Sequence, residues 1–267
     1  MIRIGIVGCG TIGSEIALAI ERGKVEAVLI ALWDREKEKA EALLNRLKNQ
    51  SPRIAPPLSW IDEVDLIVES ASQEAVSELL PLAVERGKDI LVMSVGGLMG
   101  NEELINKAKE KNCHIFIPSG ALAGLDAVQS ANISEIKNAT LTTIKPPKAL
   151  LGAPYIEQKG IDIFSFKEPT TIYEGNAKEA IKLFPANVNV AAALSLAGIG
   201  VDKTKVRIVV DPNAEKNIHK IEVEGDFGKI IAQTENNPSP SNPRTSYLAI
   251  LSAISLLKKL TSPLRIG

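Results

Sequence analysis

The stretch from Ile2 to Asp34, IRIGIVGCGTIGSEIALAIERGKVEAVLIALWD, leaves this chain little choice of fold at its start. Ile2 to Val7 is too brief for a helix and apolar enough for a strand buried on both faces. Gly8, Gly10 and Gly13 follow in G-x-G-x-x-G spacing, and Ile16, Ala17, Ala19 and Ile20 then recur as on one side of a helix. In that order each glycine has its own use: Gly8 makes the turn, Gly10 lets the backbone approach a pyrophosphate, and Gly13 lets the helix pack on the strand. The anion rests on N–H groups at the positive end of the helix dipole, with Thr11 and Ile12 completing the loop. A second strand, Ala27 to Trp33, ends at Asp34, about twenty positions beyond Gly13, where an acidic side chain holds the adenosine ribose hydroxyls. Arg35 follows directly and suits a 2′-phosphate, so the expected cofactor is NAD or NADP, with NAD favoured.

Beyond Asp34 the chain keeps alternating. A helix over Glu36 to Lys48 and a proline-marked loop lead to a strand at Val64 to Val68, closed by Glu69-Ser70-Ala71-Ser72. Carboxyl ends of parallel strands line the ligand crevice, which puts Ser70 and Ala71 at the cofactor. A helix from Gln73 to Arg86, kinked or restarted at Pro81, precedes a strand at Asp89 to Met93. Helix Glu102 to Lys111 and strand His114 to Ile117 follow. The expected fold class is α/β, a Rossmann-type doubly wound parallel sheet over residues 1–121.

The pattern changes at Pro118-Ser119-Gly120-Ala121-Leu122-Ala123-Gly124. A helix over Leu125 to Asn132 is followed by strands at Ala139 to Ile144, Thr170 to Tyr173, Val206 to Val210, Asn217 to Val223 and Lys229 to Thr234. Helices at Ala177 to Leu183 and Val188 to Ala197 interrupt them. This predicts a second, α+β domain over residues 122–242 carrying a mostly antiparallel sheet. A loop with three prolines, Asn236 to Pro243, then gives way to an apolar helix capped by Thr245 or Ser246, expected to pack back on the first domain within residues 243–267.

At 267 residues, 45% hydrophobic and net charge −1, the chain has ample core and no basic excess to suggest nucleic acid. No apolar run approaches the roughly 20 residues needed to span a bilayer. Two cysteines, Cys9 and Cys113, offer no disulfide framework and have no metal-ligand company, so a cytoplasmic protein without metal is expected.

Nicotinamide chemistry needs a proton-transfer group, and histidine is the side chain suited to neutral pH. Of the two present, His114 opens a core strand and reads as structural. His219 alternates in phase with Asn217, Ile221 and Val223, so it shares the less polar face of a second-domain sheet, either as a satisfied buried histidine or as the roof of an active site. Asn187 and Asn189 open an apolar helix, where Asn187 serves as an N-cap or both amides hold a carboxamide or carboxylate. Lys145 and Lys148, set by Pro146 and Pro147, pair with substrate carboxylates or are surface lysines at a turn.

The glycine fingerprint, PSGALAGLDAV (Pro118 to Val128), TTIKPP (Thr142 to Pro147), FPANVNVAAALSLAGIG (Phe184 to Gly200), the His219 strand and the segment from Asn236 to Ser246 together resemble the L-aspartate dehydrogenases of archaea and bacteria, nearly end to end. The resemblance implies a second domain used for catalysis and dimerisation. It implies oxidation of L-aspartate to iminoaspartate by NAD or NADP, the imine then hydrolysing to oxaloacetate and ammonia or feeding quinolinate and NAD synthesis. It places the active-site histidine at His219 and cofactor contacts at Ala123 and Asn189, while Lys145 stands where the family often carries Arg. Ser119, Lys145 and Asn187 are then expected at the substrate carboxylates, and a homodimer at the assembly level. The rival readings are a related two-domain reductase, such as homoserine dehydrogenase or dihydrodipicolinate reductase, and a non-catalytic NAD(H)-binding sensor.

Overall fold

Strand β1 (Ile2–Val7) turns inward on both faces from Ile4 onward, and helix α1 (Thr11–Glu21) lays Ile16, Ala17, Leu18, Ala19 and Ile20 against the sheet it opens. In this computed structural model, which describes residues 1–184, 188–264 and 266 and leaves out the side chains of residues 188, 243 and 244, the alternation continues. It runs through β2 (Ala27–Trp33), α2 (Lys37–Leu44), β3 (Arg53–Ile54), β4 (Leu66–Glu69), α3 (Gln73–Glu85), β5 (Asp89–Val92), α4 (Glu102–Glu110) and β6 (Ile115–Phe116). The six strands are all parallel, in the order β3-β2-β1-β4-β5-β6. The order reverses between β1 and β4, and crevices in such sheets open at that reversal, outside the carboxyl ends of the strands. This is the Rossmann-type sheet the sequence indicates.

Three local features differ from expectation. Helix α3 is one continuous element with Pro81 inside it. Val76, Leu79, Leu80, Ala83 and Val84 are buried on both sides of the proline, and this anchorage offsets the missing N–H. Strand β6 has only two residues, at the sheet edge, and His114 just before it is exposed, with Nδ1 3.1 Å from Asp89 Oδ1. It is therefore not a core residue. The proline-containing loop after Asn236 is a small hairpin, β12 (Pro238–Ser239) paired with β13 (Asn242–Ser246), and Ser246 stands directly before the last helix, at the position expected for its cap.

In the second unit the chain runs α5 (Leu125–Ala131), β7 (Ile136–Lys145), α6 (Pro154–Lys159), β8 (Thr170–Asn176), α7 (Ala177–Leu183), α8 (Val188–Ala197), β9 (Lys205–Val210), β10 (Asn217–Gly225) and β11 (Gly228–Asn236). The sheet order is β11-β10-β7-β9-β8, with β7 and β9 parallel and the other pairs antiparallel. One face is buried: Ala139, Leu141, Val206, Ile208, Ile221 and Val223 pack with Phe184 and Leu194 in a single core. Tyr155, Tyr173 and Phe184 cluster there with ring centroids 5.3–5.4 Å apart, two pairs edge-to-face and one tilted.

The two compact units are residues 1–120 with 250–267, and residues 121–249. The last helix, α9 (Tyr247–Thr261), places Ala253 and Leu257 in the same core as Ile4, Ile16 and Leu66 of the first unit.

Candidate active site

The glycine loop is shaped by contacts that only hydrogen permits at two of its three positions. Gly8 has φ +94°, and a Cβ there would meet the Ser70 and Ala71 backbone at 2.5–2.6 Å. A Cβ on Gly13 would lie 1.9 Å from the Gly8 carbonyl oxygen. Around Gly10 there is nothing within 4 Å of such an atom, so that side of the loop is open. Gly10 is also the N-cap of α1 with no side chain capping the helix, the arrangement that receives a phosphate. Ser70 closes the loop from below, its hydroxyl donating to the Gly8 carbonyl at 2.8 Å. These residues fit a dinucleotide: open backbone approach, an uncapped helix start and an acid at the end of β2.

Asp34 does more than the spacing suggests. Its Oδ2 accepts from Cys9 N at 2.7 Å and its Oδ1 from Glu36 N at 2.9 Å, so it braces the loop while standing where ribose hydroxyls would come. Arg35 beside it is exposed. Burial, and then the Asp34 charge, push the Cys9 thiol up to about 12, which keeps it protonated and unreactive.

Glu69 was missed as an individual residue, although the polar cluster containing it stood out. Its carboxylate is fully buried; Oε1 accepts from Ala71 N at 2.7 Å and from the Ser94 hydroxyl at 2.9 Å, and Oε2 from Ser94 N at 2.9 Å. Burial raises its pKa, against those hydrogen bonds. The available signal was an acid ending an otherwise apolar buried strand.

The second unit holds the other chemistry. Alternation along β10 buries His219 with Ile221 and Val223. On β7, Thr143 pairs directly with His219, and its hydroxyl lies 3.1 Å from His219 Nδ1. That contact leaves Nε2 for another partner. Lys145, two residues along β7 and hence on the same face, is 5% exposed. Burial lowers its pKa to about 8, and no carboxylate pairs with it among the described residues. Burial and then the Lys145 charge lower His219 to about 4, so the imidazole is neutral at physiological pH. Asn217, in phase with His219, has its Oδ1 buried without a hydrogen bond.

The loop around Ala123 is fixed to this strand system. Thr234, opposite His219 on β11, donates from its hydroxyl to Ala121 O at 2.7 Å, and Asn236 Nδ2 donates to the same oxygen at 3.2 Å. Ala123 itself is exposed, immediately before Gly124, which starts α5. Asn189 is exposed in the first turn of α8, Ser119 is half-buried at the end of the first unit's main segment, and Asn187 lies outside the described residues. Thr143, Lys145, His219 and the Ala121 end of the loop thus gather on one sheet face. Among the described residues no group of three or more His, Cys, Asp or Glu is placed to hold a metal ion.

A doubly wound sheet with an open glycine loop, joined to a unit whose sheet buries a histidine beside an unpaired lysine, defines a two-domain pyridine-nucleotide-dependent oxidoreductase. Residues 8–118 match the family model "Homoserine dehydrogenase, NAD binding domain", and residues 126–260 match "Aspartate dehydrogenase, C-terminal". The L-aspartate dehydrogenase of Methanosarcina barkeri is 50% identical over the full length of both chains. The crystal structure of aspartate dehydrogenase from Thermotoga maritima superposes with a TM-score of 0.76 at 29% identity, covering all of both chains. A hyperthermophilic archaeal homoserine dehydrogenase in complex with NADPH shares the fold, with a TM-score of 0.59 at 16% identity over 98% of each chain. The chain belongs to the L-aspartate dehydrogenase family. A different two-domain reductase and a non-catalytic sensor are not favoured, since the half carrying His219 matches the aspartate dehydrogenase model.

Proposed function

We propose that the protein oxidises L-aspartate to iminoaspartate with NAD or NADP, with His219 as its acid-base group and Lys145 as its principal carboxylate anchor. The observation that carries this reading is the pairing of a buried, unpaired Lys145 with a buried neutral His219 on one face of β7 and β10. A buried ammonium without a counter-ion is costly, and a dicarboxylate supplies the missing charge.

Gly8, Gly10, Thr11, Ile12 and Gly13 would hold the pyrophosphate, Asp34 and Arg35 the adenosine ribose, and Ser70, Ala71, Ala123 and Asn189 the remainder of the cofactor. The nicotinamide ring supplies the hydride acceptor for the hydrogen on the substrate Cα. Lys145, with Ser119 and Asn187, orients the two carboxylates and so selects a dicarboxylic amino acid. The Thr143 hydroxyl fixes the imidazole by its Nδ1, leaving Nε2 to take a proton from the substrate amine and then to orient water toward the imine. Burial is the larger cause of the lowered His219 pKa and the Lys145 charge the smaller; a carboxylate on Lys145 offsets only the latter.

The reading extends to a homodimer built through the second unit and to a cytoplasmic location. Exposed Ile231 on the outer face of β11 suits an interface, and among the described residues no helix is long and apolar enough to cross a membrane. The test is NADH oxidation with oxaloacetate and ammonia, repeated with NADPH and run beside homoserine in the oxidative direction. Turnover of homoserine without turnover of aspartate would reject the substrate assignment.

A further inference from the structure

Glu69 ends β4 directly opposite Val7, the last residue of β1, at the place where the strand order reverses. Its next residue ties to the glycine loop: Ser70 N donates to Val7 O and the Ser70 hydroxyl to Gly8 O, both at 2.8 Å. Both carboxylate oxygens accept from backbone N–H groups, Ala71 on one and Ser94 on the other, and the Ser94 hydroxyl donates as well. Two of the three donors are backbone N–H groups, one on each oxygen, which can only donate and so favour the anion; the Ser94 hydroxyl alone can turn to accept a carboxyl proton. No Lys, Arg or His pairs with it among the described residues, and it is fully buried. A negative charge held without a cation under a ligand crevice is expensive, and tying three loops together does not require one, since a neutral amide or hydroxyl also bridges N–H groups.

We propose that Glu69 is an electrostatic positioning residue for the nicotinamide end of the cofactor, a fixed buried anion that favours the oxidised, positively charged ring over the reduced, neutral one. When hydride arrives, with its two electrons and one proton, the pyridinium cation becomes an uncharged dihydropyridine, and attraction to Glu69 is lost. The charge therefore acts on the difference between the two redox forms and leaves their shared phosphates and riboses equally bound. Strands β1, β4 and β5 hold the carboxylate rigidly, so it cannot follow the charge away. The inference rests on the cofactor assignment and not on aspartate being the substrate.

The experiment compares dissociation constants for NAD+ and NADH by fluorescence and calorimetry in wild type, Glu69→Gln and Ser94→Ala. Glu69→Gln removes the charge at nearly constant shape. Ser94→Ala removes one hydrogen bond and keeps the charge. For unit charges at roughly 10 Å in a partly buried site, the expected loss of preference for NAD+ in Glu69→Gln is about fivefold to twentyfold. In Ser94→Ala both constants shift together, with the ratio within about twofold of wild type. A purely structural role would move both constants equally in both variants, and an unchanged ratio in Glu69→Gln overturns the inference. Should that variant not fold, Glu69→Ser, which removes the charge and keeps a hydroxyl for the N–H groups, is measured in its place: a lost preference for NAD+ supports the inference and an unchanged ratio overturns it. A wild type that binds neither form would sink the cofactor assignment first, and this inference with it.

Discussion

Alanine at Gly10 and alanine at Gly13 should fail in opposite ways, although the positions are three residues apart. At Gly13 the new Cβ would sit 1.9 Å from the Gly8 carbonyl, against about 3.4 Å for ordinary contact, so the turn must open by about 1.5 Å. The same carbonyl accepts the Ser70 hydroxyl at 2.8 Å, so opening the turn also breaks that link. Overpacking costs about 1–3 kcal/mol and the lost hydrogen bond about 1 more. At roughly 3 °C per kcal/mol for a unit of this size, Tm should fall by about 6 to 12 °C. Gly10 has φ −71° and ψ −159°, which alanine adopts without strain, and its Cβ would meet nothing. Loss of a few tenths of a kcal/mol at the N-cap is offset by the stiffer unfolded chain, so Tm should stay within about 2 °C. The added methyl instead occupies the open side where the pyrophosphate approaches. A clash of about 1–3 kcal/mol weakens NADH binding roughly 5- to 150-fold. Thermal melts beside NADH fluorescence titrations decide the matter. A Gly10→Ala protein that binds NADH as wild type does, or a Gly13→Ala protein with unchanged Tm, would refute this reasoning.

Four further outcomes follow from the buried groups and the loop. His219→Ala should lower turnover about 10²- to 10⁴-fold with the NADH dissociation constant unchanged, measured by steady-state kinetics and titration. Because His219 titrates near 4 when folded and near 6.5 when unfolded, its unfolded form binds the proton first; its contribution to stability is complete above 6.5 and is lost as pH falls toward 4, which denaturant melts across that range should register. Lys145, lowered from 10.5 to about 8, works in the same sense at higher pH: burying its charged form costs up to about 3 kcal/mol below pH 8, a cost relieved as pH rises toward 10.5. Lys145→Met should therefore be more stable at pH 7 while its KM for aspartate rises tenfold or more, and wild-type kcat/KM for aspartate should fall above pH 8. Asp34→Ser should narrow a preference for NAD over NADP, since the carboxylate that repels a 2′-phosphate is gone; comparing kcat/KM for the two cofactors shows it.

The parts read from sequence were those where a repeating pattern met a geometric demand. Gly8, Gly10 and Gly13 with Asp34 gave the crevice, because backbone approach and helix packing admit few alternatives. The phase of His219 with Ile221 and Val223 gave its burial, because a strand has only two faces. Short elements escaped: β3 has two residues, and α6 buries only Ile156, so neither carries a period. The hairpin of β12 and β13 was hidden by its prolines, which sit at positions a two-stranded edge ribbon tolerates. His114 was misjudged because β6 is too short to enclose it. Glu69, Thr143 and Asn217 did not stand out individually, since what distinguishes them is burial and a partner, or the lack of one, across strands far apart in sequence.

Helix α9 delivers Ala253 and Leu257 to a core whose other buried members all lie within the first hundred residues. During synthesis the nucleotide-binding half therefore leaves the ribosome unfinished and waits through all of residues 121–249 for its last buried side chains, whereas the second half is contiguous and can close as soon as it emerges. The order of maturation is then the reverse of the order of translation. A stop anywhere before residue 257 would leave the cofactor half with an unfilled hole in its interior, however intact its glycine turn.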